Sequence, residues 1–217
     1  MLDIFGWAAL AVLAAYLLLF FWGGVEAARA AGRPIWLFGA AKGRDRLAAF
    51  GFRAAFMLAF IGPLVWLAVP VLHKTDPLWL DGRWPLLGFA GVTLAAIGAM
   101  LAIAAQKTMG ASWRVGVKAG ETGALVQGGL FRFSRNPTFL GQILLLSGVA
   151  VAIPALPTLA GVALFFGSAS VQIRSEEAIL SASNGAEYGA FLATVPRWLG
   201  LPGTRKQSLK DDLRKDP

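Results

Sequence analysis

The sequence predicts an all-α fold: an integral-membrane bundle of five transmembrane helices, the last two a proline-broken hairpin, plus a cytoplasmic C-terminal helical segment. Three observations carry that expectation. The 217 residues are 57% hydrophobic and only 15% charged, where a soluble domain carries about 25% charged residues. The deficit is concentrated in four charge-free stretches, residues 4–25, 54–72, 84–106 and 136–173. The last of these is interrupted by two prolines, Pro154 and Pro157, near its middle.

The first three stretches each approach the roughly 20 apolar residues that a helical span requires. The first is expected to be a span and not a cleavable signal, because it exceeds a signal core of about 7–15 residues and opens on Asp3 instead of a basic region. As one helix, the 38 residues of the fourth stretch would run about 57 Å, well beyond a bilayer core of about 30 Å. Within "VAIPALPTLAG" the prolines remove amide donors and clash with the preceding turn, so the helix should break there. The expected arms are 138–153 and 158–173, each somewhat short for a full crossing. From Arg174 the chain turns polar, and "RSEEAILSASNGAEYGAF" places Ala178, Ile179 and Ala182 at helical spacing. One cytoplasmic helix is expected there, then an interruption near Asn184-Gly185 and a short helix through Phe191. The chain divides into N-terminal membrane helices (1–105), a core of loop, hairpin and C-terminal helices (106–203), and a charged tail (204–217) expected to be disordered or loosely held.

The loops set the expected topology. Arg29, Arg33, Lys42, Arg44, Arg46 and Arg53 face two acids in the first loop, and five basic residues face Glu121 alone between Lys107 and Arg135. The loop "HKTDPLWLDGR" is balanced. An excess of Lys and Arg marks the cytoplasmic side, so the N-terminus is expected outside and the C-terminus inside, as in a bacterial-type inner membrane. The net charge of +8 then reflects insertion and anionic headgroups, and no nucleic-acid partner is expected. With no cysteine and one histidine, disulfides, iron–sulfur clusters and thiolate zinc sites are excluded, and no metal site is expected.

The clustered polar chemistry lies at one membrane surface, in two pieces: "GASWRVGVKAGETGALVQGGLFRFSRNPTFLG" and "QIRSEEAIL". A hairpin brings its ends together, so Arg135 and Asn136 should sit near Gln172, Arg174, Glu176 and Glu177. Two arginines and two carboxylates there suit a zwitterion. Each piece also has a plain structural explanation. Arg132 and Arg135 suit interfacial anchors that snorkel. Glu176 and Glu177 suit a helix start, where the dipole favours carboxylates. Asn136-Pro137 suits a first turn, Trp113 and Trp198 suit interfacial anchors, and His73 reads as a loop residue on the opposite face.

Taken in order, "G..WR", "LV..GLFR..RNP..LG" and "EE..L....G.EY..F...VPRWL" resemble the isoprenylcysteine carboxyl methyltransferase family, which shares its C-terminal half with membrane phospholipid N-methyltransferases. The resemblance covers residues 110–199. It implies S-adenosylmethionine-dependent methyl transfer at the cytoplasmic membrane surface. The implied cofactor pocket involves Leu125, Val126, Phe131, Asn136, Pro137, Thr138, Phe139, Gln172, Glu176 and Glu177, with Arg135, Arg174 and Arg197 as polar groups near the cofactor or methyl acceptor. Eukaryotic members carry His where this chain has Asn136, and Tyr where it has Phe131 and Phe139, which leaves the acceptor open.

The residue types agree with that chemistry. Methyl transfer from a sulfonium depends mainly on alignment and exclusion of water, worth about 7–11 kcal/mol in favourable cases. No strong base is needed for a carboxylate, thiolate or free-amine acceptor. Arginine grips carboxylates bidentately, and a glutamate suits an ammonium or ribose hydroxyls. The expected acceptor is lipophilic: a prenylcysteine carboxylate, a phospholipid amine or a hydrophobic thiol. Two alternatives stand beside it. An NADPH-dependent reductase of sterol-like substrates would need a longer bundle and a cofactor phosphate site. A non-enzymatic transporter or assembly factor would place ionisable residues within the spans, and the first three spans have none. A monomer is expected.

Overall fold

The computed structural model describes residues 2–35, 43–79, 85–115 and 124–200. The regular elements among them are helices: α1 (Ile4–Ala31), α2 (Gly43–Ala68), α3 (Pro70–Thr75), α4 (Pro85–Met109), α5 (Pro137–Ala152) and α6 (Leu156–Thr194). By length and composition α1, α2, α4 and α6 can each cross a membrane, and α5 is a shorter apolar helix. Leu18, Phe89 and Met100 are 73%, 59% and 64% exposed, as expected where helices are apolar all round and face lipid. The protein is an all-helical membrane bundle. The charged tail (204–217) and the centre of the third loop (116–123) lie outside the described residues.

Local chemistry sets the helix ends. The Asp3 carboxylate accepts from the Gly6 amide at 2.8 Å and caps α1, which ends at Gly32 in the left-handed region, φ 61°. Pro70 separates α2 from α3 by holding Val69 in extended backbone. The second apolar stretch is therefore one span, as expected, with a short helix added beyond it. Buried Asp76 follows α3. Its Oδ2 accepts from Trp66 Nε1 and from the Leu156 amide, both at 2.8 Å, so it ties this end of α2 to the start of α6.

The bundle is built from antiparallel pairs, α4 with α5 and α2 with α6, and α1 lies along α4. A Cβ added at Gly91, Gly98, Gly141 or Gly148 would lie less than 3.0 Å from backbone of the facing helix. Gly91 meets Ala152, Gly98 meets Leu145, and Ala102 meets Gly141, a regular antiparallel register. Association in lipid rests on such close backbone approach.

The hairpin breaks where the prolines require. α5 ends at Ala152 and α6 begins at Leu156, with the Thr158 hydroxyl donating to the carbonyls of Ile153 and Ala155. The second arm does not end at residue 173. α6 continues unbroken through Arg174, and its non-helical point is Gly185, φ 45° and ψ −118°. Glu176 and Glu177 therefore lie mid-helix, and the expected helix-start explanation for them fails.

Candidate functional site

The ends of the helices that carry the basic loops surround a cleft of about 890 Å³, counting its open mouth. Its walls come from every layer: Phe20 of α1, Phe52 of α2, Met109 of α4, the start of α5, and the middle and last turns of α6. Leu125, Val126, Phe131, Asn136, Pro137, Thr138, Phe139, Gln172, Glu176 and Glu177 all line it, as does Arg135.

Arg174 and Arg197 do not line it. Gln172, Glu176 and Leu180 recur every four residues on one face of α6. Arg174, two residues out of phase, projects to the opposite side and is exposed. Arg197 lies behind the wall. Its Nη2 and Nε donate to Glu177 at 2.6 and 3.1 Å, and its side chain is 41% exposed.

The ion pairs form two sets. Arg114 Nη2 donates to Glu176 Oε1 at 3.1 Å, and Arg135 Nη2 donates to Glu177 Oε1 at 2.7 Å. Arg135 also donates to the Val195 carbonyl at 2.6 Å, and its side chain is 4% exposed. This overturns the expectation that it anchors at the interface by snorkelling. Trp113, also expected as an anchor, is buried in the cleft wall with its ring edge-on to Phe20 at 5.8 Å. Arg114, Tyr188 and Gln142 are lining residues that reading the sequence did not select. The only signal for Arg114 was its place in the quoted "WR" pair.

Residues 195–200 form a strap across the entry to α5. The Arg135 amide donates to the Pro196 carbonyl at 3.0 Å, and the Gly200 amide to that of Phe133 at 3.1 Å. Asn136 Nδ2 donates to the Arg197 carbonyl at 3.0 Å and does not cap its own helix. Beneath the strap, Tyr188, Phe191 and Val195 form a small apolar core with Phe131.

These ionisable groups lie beyond Ile173, where the charge-free run of α6 ends. Burial alone would raise the Glu177 carboxyl, but hydrogen bonds from Arg197 and Arg135 outweigh it and hold the group below the usual carboxylate range. Burial raises Glu176, with Arg114 opposing in part and Glu177 adding to the rise. Burial and the charge of Glu177 push the Tyr188 phenol up to about 12. The hydrogen bond to Glu177 raises Arg197 further.

Among the described residues, six buried side-chain polar atoms lack a partner: Trp113 Nε1, Arg114 Nε, Arg135 Nε, Thr138 Oγ1, Gln142 Oε1 and Gln172 Oε1. All six residues line the cleft. Buried polar atoms are nearly always satisfied, so such a concentration calls for a reason. Nitrogen donors and carbonyl acceptors in one cleft, beside two carboxylates, suit a ligand carrying both a cationic and an anionic group.

Residues 86–186 match the family model for phospholipid methyltransferase, just under half of the chain. A comparison with curated proteins finds no match. The matched segment runs from α4 to the turn of helix after Gly185 and includes both ion-paired glutamates, while the strap lies outside it.

Proposed function

We propose that the protein transfers a methyl group from S-adenosylmethionine to a lipophilic acceptor at the cytoplasmic membrane surface. The match to a methyltransferase family supports the reaction class. The observation that carries the cofactor is the convergence of all six unpartnered polar atoms on one cleft.

The donor set fits that cofactor. Arg135 and Arg114, each with an unpartnered Nε, would hold its carboxylate, with Trp113 Nε1 as a further donor. Glu176 and the carbonyl oxygen of Gln172 would take its ammonium or ribose hydroxyls. Leu125, Val126, Phe131, Pro137 and Phe139 would pack its less polar surfaces, and Asn136 would hold the strap in place. Glu177 positions Arg135 from behind, with Arg197 as its second partner. When bound, S-adenosylmethionine supplies a methyl group on a sulfonium, and its sulfur–carbon bond breaks as the acceptor's lone pair forms the new one. The chain's own contribution is alignment and dryness, because the apolar lining keeps water from competing for the methyl group.

Calorimetric titration of the detergent-solubilised protein with S-adenosylhomocysteine, and in parallel with NADPH, tests this directly. Saturable binding of the first alone is expected. Absence of that binding would sink the reading. A mass gain of about 14 Da in lipid or thiol extracts of expressing membranes identifies the acceptor, since one methyl replaces one hydrogen when the two reactants are aligned.

A further inference from the structure

The inner wall of the cleft has a second hollow behind it. Phe20, Phe52 and Gln142 also line a second cavity of about 400 Å³ between α1 and α2. Leu17, Phe56 and Met57 are among its other walls. α1 and α2 touch each other far less than they touch α4 and α6, so the cavity opens as a gap between them. Phe21 and Met57 line it and are 54% and 63% exposed. Exposed Arg53 also lines it; in a bilayer, the stretch walled by Leu, Phe and Met takes up hydrocarbon, not water.

The junction with the cofactor cleft is polar. Gln142 is 1% exposed, and its Nε2 donates to the Tyr16 hydroxyl at 2.6 Å. The Gln142 carbonyl oxygen has no partner. Groove and cofactor cleft thus share a wall of Phe20, Phe52 and Gln142, and the polar pair stands at that wall.

Resting on the methyltransferase reading, we propose that the α1–α2 groove holds a hydrocarbon chain of the methyl acceptor, with Tyr16 and Gln142 positioning its reacting head group. The acceptor is then an amphiphile that enters sideways from the bilayer, chain between α1 and α2 and head toward α5. Tyr16 does not line the cofactor cleft, so it acts through Gln142 as a positioning residue.

The test uses the full chain in phosphatidylcholine nanodiscs containing a phosphatidylethanolamine with a diazirine at one acyl-chain end. After irradiation, adducts are mapped by peptide mass spectrometry. Labelling at Leu17, Phe56 and Met57 is expected to exceed, several-fold, that at Phe89 and Met100, lipid-exposed positions on α4. The double substitution Leu17→Trp, Met57→Trp should bring groove labelling down to the α4 level with S-adenosylhomocysteine affinity unchanged. Tyr16→Phe should leave labelling and that affinity intact, yet slow transfer of tritiated methyl into total membrane lipid about tenfold, the loss of one modest hydrogen bond. Even labelling of α1, α2 and α4, with S-adenosylhomocysteine still bound, overturns the groove assignment alone. An unaltered transfer rate in Tyr16→Phe overturns the positioning role, and failure of the wild type to bind S-adenosylhomocysteine overturns the function on which both rest.

Discussion

Glu177 joins three parts of the chain. One oxygen accepts from Arg135 at the entry to α5, and both accept from Arg197 in the strap. Hydrogen bonds to charged groups contribute about 1.5–3 kcal/mol each, so Glu177→Gln should weaken S-adenosylhomocysteine binding about tenfold or more by calorimetry. It should also lower the unfolding midpoint in detergent. The pH dependence follows from the direction of the shift. A carboxyl held below its unfolded value stabilises the fold fully above that value, about 4.3 for glutamate, and loses the contribution as pH falls through the lower, folded one. Thermal stability should therefore be insensitive to this group between neutral and mildly acidic pH. A Glu177-dependent decline, absent from Glu177→Gln, should appear only in more acidic solution. At this scale the sequence was legible where residue type and order carry chemistry, as in "RNPTF" and "QIRSEE". It was not legible for Arg174, because helical phase, and not proximity along the chain, decides which arginine faces the cleft.

Single elements are shaped by glycine at two kinds of position. In the α4–α5 seam the absence of a side chain permits contact between backbones, so Gly148→Val forces the helices apart. A loss of about 1–3 kcal/mol is expected, as for overpacked cores, read as a lower denaturation midpoint in detergent. At Gly185 the requirement is the backbone angle itself, φ 45° and ψ −118°. Nothing lies within 4 Å of where its Cβ would stand, so the cost of Gly185→Ala is conformational strain of about 1–3 kcal/mol. Because Gly185 precedes the helix that carries Tyr188 and Phe191, loss of S-adenosylhomocysteine affinity should accompany the loss of stability. The break near Asn184-Gly185 and the break at Pro154–Pro157 could both be read from residue type. The continuity of α6 through Arg174 could not, since a helix leaving a membrane changes its surroundings without changing its hydrogen bonds.

For the whole molecule, the absence of native cysteine makes the proposed topology easy to test. Arg46 and Lys74 are exposed near opposite ends of the bundle. In intact cells, an impermeant maleimide should label Lys74→Cys and spare Arg46→Cys until the membrane is permeabilised. The reverse pattern would place the cleft outside and remove it from any cytoplasmic cofactor supply.

Sequence alone determined the solvent in which this protein folds, the proline break of its hairpin and which residue types cluster at one membrane surface. Those properties follow from local composition: long charge-free runs are driven out of water, and two prolines three apart remove amide donors that a helix needs. Only the tertiary structure decided which arginine meets which glutamate, that Arg174 faces away while Arg114 faces in, and that the cleft shares a wall with a groove between α1 and α2. Each of these depends on how distant helices are rotated and spaced, and in the α4–α5 pair that spacing is set by backbone contact at glycine.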